Sequence, residues 1–107
     1  MFSEAHSFNQ PIGDWNVSKV TSMWGMFSAA FAFNQPIGDW GVTNVTDMYG
    51  MFESAESFNQ DLTRWDMRSV EEADNMFRRA NAMQRDNKPT AVRNDVYEED
   101  EGEEEEE

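Results

Sequence analysis

The chain of 107 residues has no cysteine, one histidine, one leucine and only three prolines. Without cysteine there is no disulfide, no thiolate metal site and no thiol nucleophile. No apolar run approaches the roughly 18 to 20 residues of a membrane span, and no basic segment leading into an apolar one opens the chain. No membrane insertion by this chain is therefore expected. Basic residues are scarce too: eight Lys and Arg stand against 22 Asp and Glu, for a net charge of −14. Such a chain repels nucleic acid and anionic lipid at long range, so nucleic acid is not an expected partner. Few aliphatic residues with high net charge is the composition of a disordered chain. What argues against disorder is a set of eight methionines, eight phenylalanines and four tryptophans, because these residues are periodic.

Met-Phe begins at Met1, Met26, Met51 and Met76; Phe-Asn-Gln begins at Phe8, Phe33 and Phe58; tryptophan stands at Trp15, Trp40 and Trp65. Each series advances by 25 residues. Residues 1–25, 26–50 and 51–75 are thus three repeat units, and 76–85 begins a fourth. Units one and two agree at 17 of 25 positions, units two and three at only 8, and this divergence separates inside from outside. The sites of Met1, Phe2, Ala5, Phe8, Ile12, Trp15, Val17, Val20 and Met23 are all apolar again in unit three, despite the drift around them. These nine sites read as the buried face.

A unit of this length cannot close a core alone, whereas stacked units can. Trp15-x-Val17 alternates with period two, as a short strand does. From Val20 onward the apolar spacing becomes three and four, which predicts helical or 3₁₀ turns, interrupted at Gly25 and Gly50. The predicted fold is an α/β repeat solenoid, leucine-rich-repeat-like, with three 25-residue coils plus a half-coil and short parallel strands joined by short helical or 3₁₀ turns. The pattern Met-Phe-x-x-Ala-x-x-Phe-Asn-Gln-x-Ile-x-x-Trp-x-Val-x-x-Val-x-x-Met, covering residues 1 to about 83, resembles the repeat of BspA-like leucine-rich-repeat surface proteins. The match is to the cysteine-free variant of mycoplasma-type surface lipoproteins. Ile12-x-x-Trp15-x-Val17 sits where that family has its strand. The resemblance implies a secreted or cell-surface protein with an adhesion-like role, whose repeats bind protein or glycan.

In such a solenoid the residues flanking the inward strand positions line the concave surface. The expected ligand face is Asp14, Asn16 and Ser18; Asp39, Gly41 and Thr43; Arg64, Asp66 and Arg68. These positions vary between units while the inward sites hold. Trp24 and Tyr49 share a column and form a candidate aromatic contact for a sugar or a peptide side chain. Asn9, Asn34 and Asn59, each followed by glutamine, are expected to stack as a structural ladder. Asp14 and Asp39 share a column in which a carboxylate pair could hold calcium or raise one pKa, but Arg64 occupies it in unit three. His6 aligns with Phe31 and Glu56 and signals nothing specific. Asn16-Val17-Ser18 and Asn44-Val45-Thr46 match the glycosylation sequon at non-equivalent repeat positions. Nothing forms a nucleophile, base and orienter, so the expectation is a non-enzymatic interaction module with no metal or cofactor.

The ends differ. Met1 stands in the repeat register with no polar cap before it, which points to a fragment of a larger protein or to self-association through an uncapped N-terminal coil. The repeat domain is expected to span 1–85. Residues 86–107 hold 11 acids against 2 bases and are expected to be a disordered acidic tail. That tail supports an alternative function, an intracellular scaffold that recruits a basic partner.

Overall fold

A computed structural model describes residues 2–93. It corrects the expected fold class. The chain is mostly loops; the described residues contain no sheet, and they do not form a leucine-rich-repeat-like α/β solenoid. Regular elements are confined to a 3₁₀ turn at Arg85–Asn87 and one helical turn, α1, at Thr90–Arg93. Parallel pairing is reduced to two isolated bridges, Ser22 with Asp47 and Asp47 with Glu72.

The reason lies in where the backbone hydrogen bonds go. Inward residues three apart close turns on one another: Trp15 N–H donates to the Ile12 carbonyl, Val20 to Val17, Met26 to Met23 and Ala30 to Phe27, at 3.0–3.1 Å. A strand cannot form where these groups are consumed locally. A helix cannot propagate either, because Gly25, Ala29, Gly50 and Ser54 hold φ near +60°. For Ala29 and Ser54 this left-handed conformation costs roughly 1–2 kcal/mol each. The cost is offset by contacts between units. Ala29 N–H reaches the Glu53 carbonyl and Ser54 N–H the Arg78 carbonyl, each at 2.8 Å.

These contacts keep one register. The N–H groups of Met23, Gly25, Phe27 and Ala29 all donate to carbonyls 24 residues later, on Asp47, Tyr49, Met51 and Glu53. In this set every inter-unit bond is donated by the earlier unit, whereas a parallel ladder needs donors on both sides. Reciprocity occurs at the bridges. Thr46 N–H donates back to Thr21 and Glu71 N–H back to Thr46, both at 2.8 Å.

Side chains stack in the same register. Phe2, Phe27, Phe52 and Phe77 follow one another with ring centroids 5.4–5.6 Å apart and planes within 9°. Phe8, Phe33 and Phe58 form a second file at 5.7 Å. Such offset pairs contribute roughly 0.5–1.5 kcal/mol beyond burial. In unit two all nine apolar sites are buried, from Met26 through Met48. Trp15 departs from its inward assignment: it is 44% exposed, against 4% for Trp40 and 5% for Trp65.

Glycine is required where units approach most closely. A Cβ on Gly13 would lie 2.5 Å from the Pro36 carbonyl oxygen, and one on Gly38 equally close to that of Asp61. Past Met83 the chain turns across unit three. Leu62 N–H donates to the Asn87 carbonyl at 2.8 Å, and Val92 is 1% exposed. Residues 86–93 of the expected tail therefore carry structure; 94–107 lie outside the described residues.

Candidate functional site

The expected ligand face lies in and between turns closed by core residues: Asp14 is inside the Ile12–Trp15 turn, Ser18 inside the Val17–Val20 turn and Asn16 between the two, as are their equivalents. The buried residues hold the intervening side chains outward. Asp14, Asn16, Ser18, Asp39, Gly41, Thr43, Arg64 and Arg68 are exposed, and Asp66 is half-buried. Within unit one, Asn16 Oδ1 accepts the Ser18 N–H at 3.0 Å. Asp66 repeats that bond in unit three, accepting the Arg68 N–H at 3.1 Å. The Arg68 side chain then folds onto the same carboxylate, with Nε 2.9 Å and an Nη 2.6 Å from Asp66 Oδ2. The paired guanidinium holds the Asp66 carboxyl below the usual carboxylate range, chiefly through the side-chain hydrogen bond. Asp66 in turn raises the Arg68 pKa.

The Asp14, Asp39 and Arg64 column is bonded across units. Arg64 forms an ion pair with Asp39, so Asp39 is not available to share a cation with Asp14. Asp14 has no hydrogen-bond or ion-pair partner among the described residues. These side chains border a half-open polar groove of about 360 Å³, to which Pro36, Gln60 and Asp61 also contribute. The last three are groove residues that the column analysis misses. They belong to the next unit's approach loop, and only the 23-residue offset of the close Gly–carbonyl contacts places them opposite Asp14 and Asp39. Asp61 is fixed by accepting from the Thr63 N–H and hydroxyl at 2.9 and 2.6 Å. Farther along, Asn44 Nδ2 donates to the Ser18 carbonyl at 2.8 Å, so one sequon amide is engaged between units.

The asparagine column is joined unit to unit. Asn9 Oδ1 accepts the Asn34 N–H and Asn34 Oδ1 accepts the Asn59 N–H, both at 2.9 Å. Asn59 Oδ1 accepts the Gln84 N–H at 3.0 Å. Gln35 and Gln60 add amide donors to the preceding asparagines. This occupies the amide oxygens with fold contacts.

Trp24 and Tyr49 stack with centroids 6.0 Å apart and planes 18° from parallel. Asn75 Nδ2 donates to the Tyr49 hydroxyl at 3.2 Å, anchoring the lower ring. A recess of about 90 Å³ lies beside them, edged by Ser3, Ser28 and Glu53. Trp24 is 61% exposed. A second exposed ring pair, His6 on Phe31 with centroids 4.5 Å apart, also joins units one and two.

Among the described residues, no group of three or more His, Asp or Glu side chains is placed to hold a metal ion. No described helix is long and apolar enough to cross a membrane. The exposed groups on these faces are planar polar side chains, one bidentate ion pair and an aromatic ledge. No curated protein and no solved structure matches the chain. Residues 1–90 match the model of the family described as "Mycoplasma protein of unknown function, DUF285", and the chain belongs to that family.

Proposed function

We propose that the chain is a non-enzymatic interaction module, part of a larger secreted or cell-surface protein akin to the BspA-like repeat surface proteins, which binds a protein or glycan ligand. The supporting observation is the polar groove bordered by Asp14, Asp39 and Arg64, whose walls come from successive units held in register by backbone bonds. Asp14 offers an unengaged carboxylate, and the Arg64–Asp39 pair offers donors and acceptors side by side. Planar groups of this kind suit hydroxyl-bearing rings and peptide amides. Each unit supplies few contacts, so affinity would come from summing contacts along the face.

The test is binding of the full chain to an immobilised glycan panel and to a panel of purified host-surface proteins, repeated with Asp14→Ala and Arg64→Ala. The expected result is saturable binding weakened at least tenfold by either substitution and unaffected by deleting residues 94–107. Binding abolished by that deletion, with steep salt dependence, would transfer the function to the acidic segment and a basic partner. Binding to neither panel would remove the proposal.

A further inference from the structure

Four files of peptide groups run head to tail through the stack, and all point the same way. The Met26–Phe27 peptide accepts the Phe2 N–H behind it and donates to the Met51 carbonyl ahead; the Met51–Phe52 peptide donates in turn to Met76. A second file passes through Ser28–Ala29 and Glu53–Ser54 and ends on the Arg78 carbonyl. The files through Asp47–Met48 and Tyr49–Gly50 end on the carbonyls of Glu72 and Asp74. These forward bonds are 2.7–3.0 Å long. Aligned peptide dipoles add, as they do along a helix, and bonded chains polarise one another. The N–H ends, which carry the partial positive charge, therefore emerge at the last unit.

There the files stop. The N–H groups of Ala73, Asn75, Phe77 and Arg79 terminate them and have no acceptor among the described residues. The residues that follow cover side chains instead. The chain leaves the repeat register at Arg85, Lys88 Nζ lies 5.4 Å from the centre of the Phe77 ring, and Val92 is buried. Charge is concentrated in the same place: residues 75–93 hold five bases and one acid, in a chain of net charge −14. Arg78 pairs with Glu53 at 3.3 Å, while Arg79 is exposed and has no ion-pair partner among the described residues. Glu71, Glu72 and Asp74 flank the Ala73 end of the row. Attraction for an anion is thus confined to the Asn75–Arg79 end.

We propose that the acidic segment 94–107 folds back onto this row and caps it. Its carbonyls and carboxylates accept the Asn75, Phe77 and Arg79 N–H groups beside the Arg78 and Arg79 guanidinium groups. Charge complementarity selects this occupant, because ten of residues 94–107 are Asp or Glu. Donors on alternate residues suit an extended chain, in which every second carbonyl faces the same side. The segment reaches about 46 Å when extended, against about 13 Å from Asn75 to Arg79. Tethering holds it at an effective concentration on the order of millimolar, ahead of a free acidic peptide. It serves the stack as a polar terminal repeat serves other solenoids.

NMR of the full chain with a nitroxide on Glu101→Cys tests this; the chain has no other cysteine. The Asn75 and Arg79 amide signals are expected to broaden, and the broadening to be relieved by about 0.5 M salt. Arg79→Ala weakens it, whereas Lys19→Ala, an exposed cation in unit one, leaves it unchanged. Alanine suits position 79, since Ala29 holds the same left-handed backbone in unit two. Deleting residues 94–107 should speed amide exchange at Asn75 and Arg79 at least tenfold and leave Gly25 and Gly50, bonded inside the stack, unaffected. It should also lower Tm at low salt, whereas mere removal of like charges would raise it. Absent broadening overturns the proposal, as do broadening insensitive to salt and to Arg79→Ala, exchange unchanged by the deletion, and broadening that vanishes on dilution, which marks a contact between molecules.

Discussion

Gly38 is the sharpest point at which the register can be tested. A methyl group there would sit 2.5 Å from the Asp61 carbonyl oxygen, a contact that real Cβ atoms do not make. The obstructing atom is backbone, so relief requires units two and three to separate locally. That would strain the Asn34–Asn59 bond and the Trp65–Ile37 bond on either side. Overpacking of this kind costs roughly 1–3 kcal/mol, a sizeable share of the roughly 5–15 kcal/mol that holds a small domain. At about 4–8 °C per kcal/mol for a chain of this size, Gly38→Ala should lower Tm by about 10 °C. Gly41 is the control, three residues away on the exposed face. A Cβ there meets nothing within 4 Å and φ is not positive, and units one and three carry Asn16 and Asp66 at its position. Gly41→Ala should leave Tm unchanged or raise it slightly, because alanine restricts the unfolded chain. Thermal unfolding followed by tryptophan fluorescence and circular dichroism measures both. Equal Tm values for the two variants would refute the close approach of units two and three.

The other stability predictions concern single bonds. Trp65→Phe removes the Nε1–H donor to Ile37 within the core and should cost about 2 kcal/mol in denaturant unfolding. Trp15→Phe should cost much less, since Trp15 makes no such bond among the described residues. Asn34→Ala deletes the acceptor used by the Asn59 N–H and the Gln60 amide and should cost about 1 kcal/mol, because water partly replaces it. Asn34→Asp keeps the acceptor and should retain most of that stability. The Asp66 carboxyl should titrate below its ordinary range by NMR and rise toward it in Arg68→Ala, which keeps only the backbone N–H bond of residue 68. A depressed pKa means that any contribution of this pair is present above the ordinary carboxylate pKa and is lost as pH falls through the lowered value. An unchanged Asp66 titration in Arg68→Ala would dissociate the two side chains.

Repetition with drift made the core legible. Nine sites stay apolar between units two and three while most others change, and in unit two all nine are buried. Burial at Trp15 was not legible in the same way, because a column predicts an inward direction and not the presence of a neighbour to cover it. The backbone geometry was misjudged for a different reason. Apolar spacing of three fits an α-helix, a 3₁₀ turn and consecutive separate turns equally well, and only the dihedral angles between anchors tell them apart. Gly25 and Gly50 mark two of those left-handed positions. Glu4, Ala29, Ser54 and Arg79 mark nothing, although each holds φ near +60°. At Glu4, Ala29 and Ser54 the N–H bonds to the next unit, on Ser28, Glu53 and Arg78, a tertiary contact that local sequence does not encode.

The candidate site divides along the same line. Side chains flanking the turns were legible as an outward, variable set, since alternation with the core determines which way they face. The groove itself was not, because half of it comes from the next unit at an offset of 23 rather than 25 residues, the spacing of the Gly13–Pro36 and Gly38–Asp61 contacts. Asp14 and Asp39 therefore share the groove with the approach loops at Pro36 and Asp61 as well as with their own column, in which Arg64 pairs with Asp39. The spacing of the walls thus depends on glycine in the column of Gly13 and Gly38. Unit three has Thr63 there, next to a chain that leaves the repeat register at Arg85. The lining ends at Arg64, beside Thr63, in the first unit that lacks that glycine.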